Sequence, residues 1–347
     1  MKSTRARGSE IVRYGIAIIL LFVGVTAFGY RYVSTVLVSP GLVYIPDGSD
    51  EEIIDLLRRE DIGIERYDIY LMKRYGHPSE GWVRFDSNIT RGEFFWLLPR
   101  IDREPLRRIV FYSGDTIDDF SLYFGKYTGV QRRDLLEYYY RYSPFVEGGI
   151  MAGYYYLPYR IDAKSAVVYM IWKSDNLIRS IALKYGIDPS PESMKRYLIV
   201  ASIVQKETYR SEEMPYIASV VYNRLKRGMR LQMDATLNYG AYSHDVVTPR
   251  RIREDTSSFN SYLYPGLPPE PLCSVTPKAL EAAISPAKTE YLYFVKGLFG
   301  THEFSRTYAE HLAKITKIKA QKAKLRLYRS LVKRAKGANG GKKSSHQ

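Results

Sequence analysis

The chain has a single cysteine, Cys273, in 347 residues, so no internal disulfide framework holds it together, and cysteine usage says little about compartment. Acid is missing from both ends. From residue 313 onward there are twelve Lys and Arg and no Asp or Glu, and residues 1–13 set Glu10 against Lys2, Arg5, Arg7 and Arg13. The net charge of +15 therefore sits in two flanks, while the stretch 14–312 is close to neutral. A basic balance of this size first suggests nucleic acid, but no folded face carries it, so no nucleic-acid partner is expected. The five histidines show no metal-ligand spacing, and neither a metal nor another cofactor is expected. The length allows two or three domains.

Charge is also missing from Tyr14 to Tyr30, a run of seventeen residues at the lower end of what spans a bilayer. Tyr14, Tyr30, Arg31 and Tyr32 suit the two interfaces. Basic residues before the run outnumber those just after it. The expectation is a single-pass anchor over 14–33, with a cytoplasmic basic N-terminus over 1–13 and the remainder outside. No small-x-small cleavage site follows the run, which favours a retained anchor over a cleaved signal peptide.

Residues 41–102 read as a small α/β module. Leu42–Ile45 is strand-like, Pro46-Asp47-Gly48 is turn chemistry, and Ser49 or Asp50 caps a helix through Leu57. A strand near Trp82–Phe85 and a helix capped by Thr90 follow. Residues 107–140 repeat strand, Gly/Asp turn and helix. The tyrosines of 141–160 read first as packing. An amphipathic helix from Ala163 to Tyr185 sets Val167, Ile171, Leu177, Ile178 and Ile181 on one side.

The most informative stretch runs from Tyr197 to Thr208. Val200, Ile203, Val204 and Glu207 fall at i, i+3, i+4 and i+7, one helical face. A carboxyl sharing a face with Ile and Val is partly withdrawn from water, and its pKa should rise. An acid that keeps its proton near neutral pH can act as a general acid. The competing reading is an acid turned outward at a helix end. Pro215 suits the first turn of a following helix that ends at Gly228. Further on come a helix from Pro277, a buried strand at Tyr291–Val295, a helix holding His311, and from Lys314 a basic helix fraying into Gly337–Gly341.

Several blocks carry a resemblance. Ala201–Thr208, Val221-Tyr222-Asn223-Arg224-Leu225 with Gly228-Met229, Leu231-Gln232-x-Asp234-x-Thr236, Phe259-Asn260-Ser261-Tyr262, Gly266-Leu267-Pro268-Pro269, Ser285–Thr289, Tyr291–Val295 and His302-x-Phe304 resemble the endolytic murein transglycosylase (YceG-like) family, in its order and spacing. The resemblance is strong over 197–311. It implies an α+β chain with an N-terminal transmembrane helix, a LysM-like module over 41–102, a catalytic domain over 106–312 with its core at 190–312, and a basic tail over 313–347. It implies cleavage of nascent peptidoglycan glycan strands between N-acetylmuramic acid and N-acetylglucosamine, leaving 1,6-anhydro ends. The wall side of the inner membrane is then the place of the enzyme, and peptidoglycan synthases are candidate partners.

By position Glu207 matches the family's catalytic glutamate. Many members carry a second glutamate two residues earlier; here that residue is Gln205. One carboxyl suffices when the substrate's own hydroxyl is the nucleophile. Gln232, Asp234, Asn223, Asn260 and Tyr262 are the candidate sugar-binding residues. Asp234 reads equally as a cap, Asn260 and Tyr262 as turn residues, and Arg224 as a partner of Glu212 or Glu213. Glu147 sits before glycines, as in the family, among otherwise different residues. Two rivals stay open: a muramidase that adds water with Asp234 as its second acid, and a non-catalytic wall-binding scaffold.

Overall fold

The computed structural model describes residues 2–37, 40–60 and 62–340, with side chains from 13 to 331 within those limits. In chain order the elements are α1 (Lys2–Val33), β1 (Val36–Leu37), β2 (Gly41–Ile45), α2 (Asp50–Arg59), α3 (Ile69–Tyr75), β3 (Gly81–Phe85), β4 (Ile89–Thr90) and α4 (Arg91–Leu97). Next come β5 (Leu106–Phe111), α5 (Ile117–Thr128), α6 (Arg132–Tyr142), β6 (Gly153–Pro158), α7 (Ala163–Lys184), α8 (Pro191–Glu207) and α9 (Met214–Lys226). The chain closes with α10 (Pro249–Glu254), α11 (Pro277–Ile284), β7 (Tyr293–Lys296), β8 (His302–Ser305) and α12 (Tyr308–Gly340). The architecture is mixed α+β, with strands only in two-stranded sheets among the described residues.

Within α1 the apolar window extends over Arg13–Val33, 21 residues of mean hydropathy 1.9 with none of it buried. A helix of that length rises about 30 Å, the thickness of a bilayer's hydrocarbon layer. Length and composition thus suit a single N-terminal membrane anchor. Lys2, Arg5, Arg7 and Glu10 lie outside the described side chains.

The chain folds into two units interleaved in sequence: 1–109 with 124–139 and 155–172, and 110–123 with 140–154 and 173–347. The sequence expectation kept 106–312 together; in the fold, 124–139 and 155–172 group with the N-terminal unit. In that unit β2 and β3 pair antiparallel, Val43 opposite Val83 and Tyr44 opposite Trp82, with α2 and α3 between them in sequence. Ser49 and Thr90 each close a capping box, with Glu52 and Glu93 as partners. The core gathers Val43, Ile53, Leu57, Val83, Phe94 and Phe95. Helix α3 escaped the sequence reading because it is short and buries only Met72.

The second unit is built on α8, packed against α9 and α11. Ser190 caps α8, its hydroxyl accepting from Ser193 N–H, and Pro191 begins the first turn. Leu198, Val200, Ala201, Ile203 and Val204 are fully buried there, in one core with Ile217, Val221, Leu280 and Ala283. Every residue from Leu198 to Gln205 is buried, so no face of this part of the helix meets water. A helix covered on every side needs an apolar surround, and α9 and α11 supply it.

Three expectations are corrected. The strand is Tyr293–Lys296, and its residues are half-buried or exposed, because it pairs only with β8 in a hairpin. Leu177 is 37% exposed; it lies one residue before buried Ile178, about 100° around the helix. Helix α12 does not fray at Gly337 but runs to Gly340, and 341–347 lie outside the described residues.

Candidate active site

Glu207 is the last residue of α8, and Thr208 turns the backbone to extended geometry (φ −150°, ψ 148°). That turn is fastened. Thr208 Oγ1 donates to Glu213 Oε2 at 3.3 Å, and Glu213 in turn accepts from His302 N–H at 2.9 Å and holds His302 Nδ1 at 2.7 Å. Lys206 points away from Glu207, its ammonium donating to Gly114 O and to Ser243 O and Oγ at 2.9–3.0 Å. Gln205 also faces away, its Oε1 accepting from Thr276 N–H and Oγ1 at 3.1 and 2.8 Å.

The Glu207 side chain enters a cleft of about 210 Å³, which Arg224, Gln232, Asp234, Tyr262, Phe294 and His311 also line. The residue keeps some exposure at the mouth, yet protein surrounds the carboxyl. Burial pushes its pKa up to about 7; Asp234 pushes the same way, and the Ala235 N–H and Lys296 oppose. At neutral pH a large fraction therefore carries the proton.

The opposite wall is held in shape by backbone chemistry. Gln232 is the one non-glycine residue with positive φ (49°) among the described residues. A left-handed non-glycine residue costs on the order of 1 kcal/mol and persists where its surroundings over-determine it. Gln232 N–H donates to Ser261 O at 3.2 Å, and Met233 N–H to Ser261 Oγ at 3.2 Å. Tyr262 Oη donates to Asp234 Oδ1 at 2.6 Å. Burial, then this bond and the Asp234 charge, raise the phenol's pKa.

Arg224 is buried and pairs with neither Glu212 nor Glu213. Its Nε donates to Leu292 O at 2.6 Å and its Nη1 to Leu231 O at 2.7 Å. It thus ties the Leu231–Asp234 segment to the β7 strand entry. His311 stacks on Tyr293 at 5.3 Å, and burial followed by the Arg224 and Lys314 charges lowers its pKa, so it is neutral at pH 7.

Of the residues singled out from sequence, the structure brings together Glu207, Gln232, Asp234 and Tyr262. It does not bring Asn223 or Asn260 to the cleft. Asn223 Nδ2 donates to Thr289 O and Tyr291 O, both at 2.9 Å. Asn260, fully buried, donates to Ile252 O and Asp255 O and accepts from Tyr262 N–H. Both side-chain nitrogens are committed to backbone carbonyls, and neither residue lines the cleft. Helical phase explains the first case: Asn223 and Arg224 are about 100° apart on α9, and only Arg224 faces inward. Phe294 and His311 were missed as lining residues, since no local pattern reports contacts of a hairpin and a helix with a site a hundred residues earlier.

Among the described residues one group has metal-compatible donors, Asp115, Asp119 and His244, with ligand atoms within 4.8 Å of one another. Hydrogen bonds account for it: Asp119 accepts from Thr116 N–H and Oγ1, Asp115 from Tyr123 Oη, and His244 Nε2 lies 3.2 Å from Asp119.

Comparison with known proteins follows the same residues. A family model described as the YceG-like family matches residues 43–317. Proteins named endolytic murein transglycosylase are similar: that of Bacillus subtilis (strain 168) is 38% identical over 119 residues, 34% of this chain and 33% of the relative. That of Streptococcus pneumoniae (strain ATCC BAA-255 / R6) is 33% identical over 123 residues, 34% of this chain and 22% of the relative. The matched stretch is thus a third or less of those relatives' own length. The crystal structure of a YceG-like protein from Listeria monocytogenes superposes with a TM-score of 0.52 at 24% identity, over 78% of this chain and 97% of that one, a likeness of fold.

Proposed function

We propose, for a chain that belongs to the YceG-like family, that it is a lytic transglycosylase of peptidoglycan with Glu207 as its proton shuttle. The observation that carries the reading is the Glu207 carboxyl, raised to about 7, inside a sugar-sized cleft that it shares with Asp234. Glu207 gives its proton to the glycosidic oxygen while the bond from that oxygen to the muramyl C1 breaks. The carboxylate left behind takes the proton of the muramyl C6 hydroxyl, and O6 bonds to C1 to close the anhydro ring. The proton borrowed is returned, and no water is consumed. Gln232, Asp234 and Tyr262 hold the sugar opposite, in a wall already pinned by Ser261. Names of the similar proteins support the substrate, the exposed apolar window of α1 supports a membrane anchor, and the basic residues before that window favour a catalytic unit on the wall side. Residues 41–102, which hold β2, α2, α3 and β3, are its LysM-like wall-binding module, and peptidoglycan synthases are candidate partners at the membrane.

The muramidase alternative keeps one supporting observation, since Asp234 lies in the same cleft. Its carboxylate, however, already accepts the 2.6 Å bond from Tyr262. Product masses from isolated peptidoglycan separate the two. The transglycosylase reading expects muramyl ends lighter by one water; ends of full hydrolytic mass would replace it with the muramidase.

A further inference from the structure

We propose that a second cleft of the C-terminal unit is an outlying sugar subsite, gripping the glycan strand away from the bond that is cut. The inference rests on the peptidoglycan reading above. This cleft measures about 370 Å³ and is lined by Tyr239, Tyr242, Arg250, Arg251, Glu254 and Asp255, with Thr248 at its edge.

The chemistry of the lining selects the ligand class. Its charges cancel: Arg250 Nε donates to Glu254 Oε2 at 2.7 Å, and Arg251 Nε lies 4.0 Å from Asp255 Oδ2. A paired set is a poor anion site, because a phosphate or carboxylate would have to displace the acids. Planar donors and acceptors beside aromatic faces instead match a sugar ring, which offers a C–H face to stack and hydroxyls to bond. The rings are already ordered. Tyr239 stacks on Phe259 at 4.3 Å and 9°, Tyr242 meets Tyr239 at 6.1 Å, and Arg251 lies 4.3 Å over Tyr242. Tyr242 is nonetheless 47% exposed, while the Arg251 Nη1 atom is buried and has no hydrogen-bond partner among the described residues.

Size argues that such a subsite is needed. The Glu207 cleft, at about 210 Å³, is smaller than the ~300–1,000 Å³ pockets that enclose drug-sized ligands. The scissile bond joins two acylated sugars, so part of the strand must rest elsewhere. One segment, 231–262, connects the two clefts and contributes to both. Asn260 clamps Ile252 and Asp255 on one side, while its neighbour but one, Tyr262, binds Asp234 on the other. The backbone-committed Asn260 is then the brace that fixes the spacing of two sugar sites.

The test uses the full chain in detergent, with uncrosslinked glycan strands of long and tetrasaccharide length. Tyr242→Ala is expected to lower the ratio of kcat/KM on long strands to that on the tetrasaccharide about tenfold, the loss of one stacked ring. Glu254→Gln, at an exposed position, is expected to lower it less and guards against a folding defect in the first variant. A ratio unchanged in both variants overturns the proposal, as does an equal loss on both lengths. In parallel, calorimetric binding of a β-1,4-linked N-acetylglucosamine tetramer is measured. Weaker binding in Tyr242→Ala supports the subsite even if the wild-type chain cuts nothing, whereas equal binding in both overturns it.

Discussion

Glu147 and Glu207 belong to the same unit, and burial raises both, Glu147 to about 8 and Glu207 to about 7. Each accepts a backbone N–H, from Ile117 at 3.0 Å in one case and from Ala235 in the other. Of the two, Glu207 lines the cleft. Glu147 is 9% exposed and takes no part in that lining. The difference separates two meanings of a perturbed carboxyl. Withdrawal from water sets the proton affinity, but access for a substrate decides whether that affinity serves chemistry.

The comparison is broken most severely by Glu207→Gln. The amide keeps the shape and the bond to Ala235 but cannot shuttle a proton, so cleavage of isolated peptidoglycan should fall by about 10³-fold or more. Binding of the chain to intact sacculi, followed by pull-down, should persist. Cleavage within a few fold of wild type would remove Glu207 from the reaction.

The next effect is on stability. The Glu207 pKa is raised from 4.5 to about 7, so the folded state favours the protonated acid. That stabilisation is complete below the unfolded value of about 4.5 and is lost as pH rises through about 7. Urea melts of Glu207→Gln and wild type should therefore shift in favour of the variant by up to about 3 kcal/mol between pH 4 and pH 8. A constant difference across that range would mean the carboxyl is solvated.

Glu147→Gln sharpens the contrast through its smallness. An amide oxygen can still accept from Ile117, so cleavage at pH 6.5 should remain within about twofold of wild type. A loss matching that of Glu207→Gln would give the two carboxyls one role.

Much of the second unit was legible because its signals are local. Ser190 and Pro191 announce α8, Pro215 announces α9, and the i, i+3, i+4, i+7 pattern places Glu207 beside Val200, Ile203 and Val204. The apolar window was equally plain, Arg13–Val33 against the expected 14–33. What failed was the step from motif to contact. Asn223, Arg224 and Asn260 stand in blocks that resemble the family, yet the resemblance cannot say which side chains face a sugar and which brace the backbone. Arg224 and Asn260 proved to be braces, one for Leu231 and Leu292, the other for Ile252 and Asp255. Helix α6 went unread because its tyrosines suit a strand as well as a helix, and it buries only Leu135 and Tyr139. The unit boundaries were hidden for a similar reason, since 124–139 and 155–172 join the N-terminal unit through packing between segments distant in sequence.

The most direct test of the central claim is a carbon-13 NMR titration of the Glu207 carboxyl in the full chain, assigned by the signal lost in Glu207→Gln. The account predicts a midpoint near pH 7, with the proton held where the sugar would sit. A midpoint near the ordinary glutamate value of about 4.5 would contradict it, leaving the cleft without its acid.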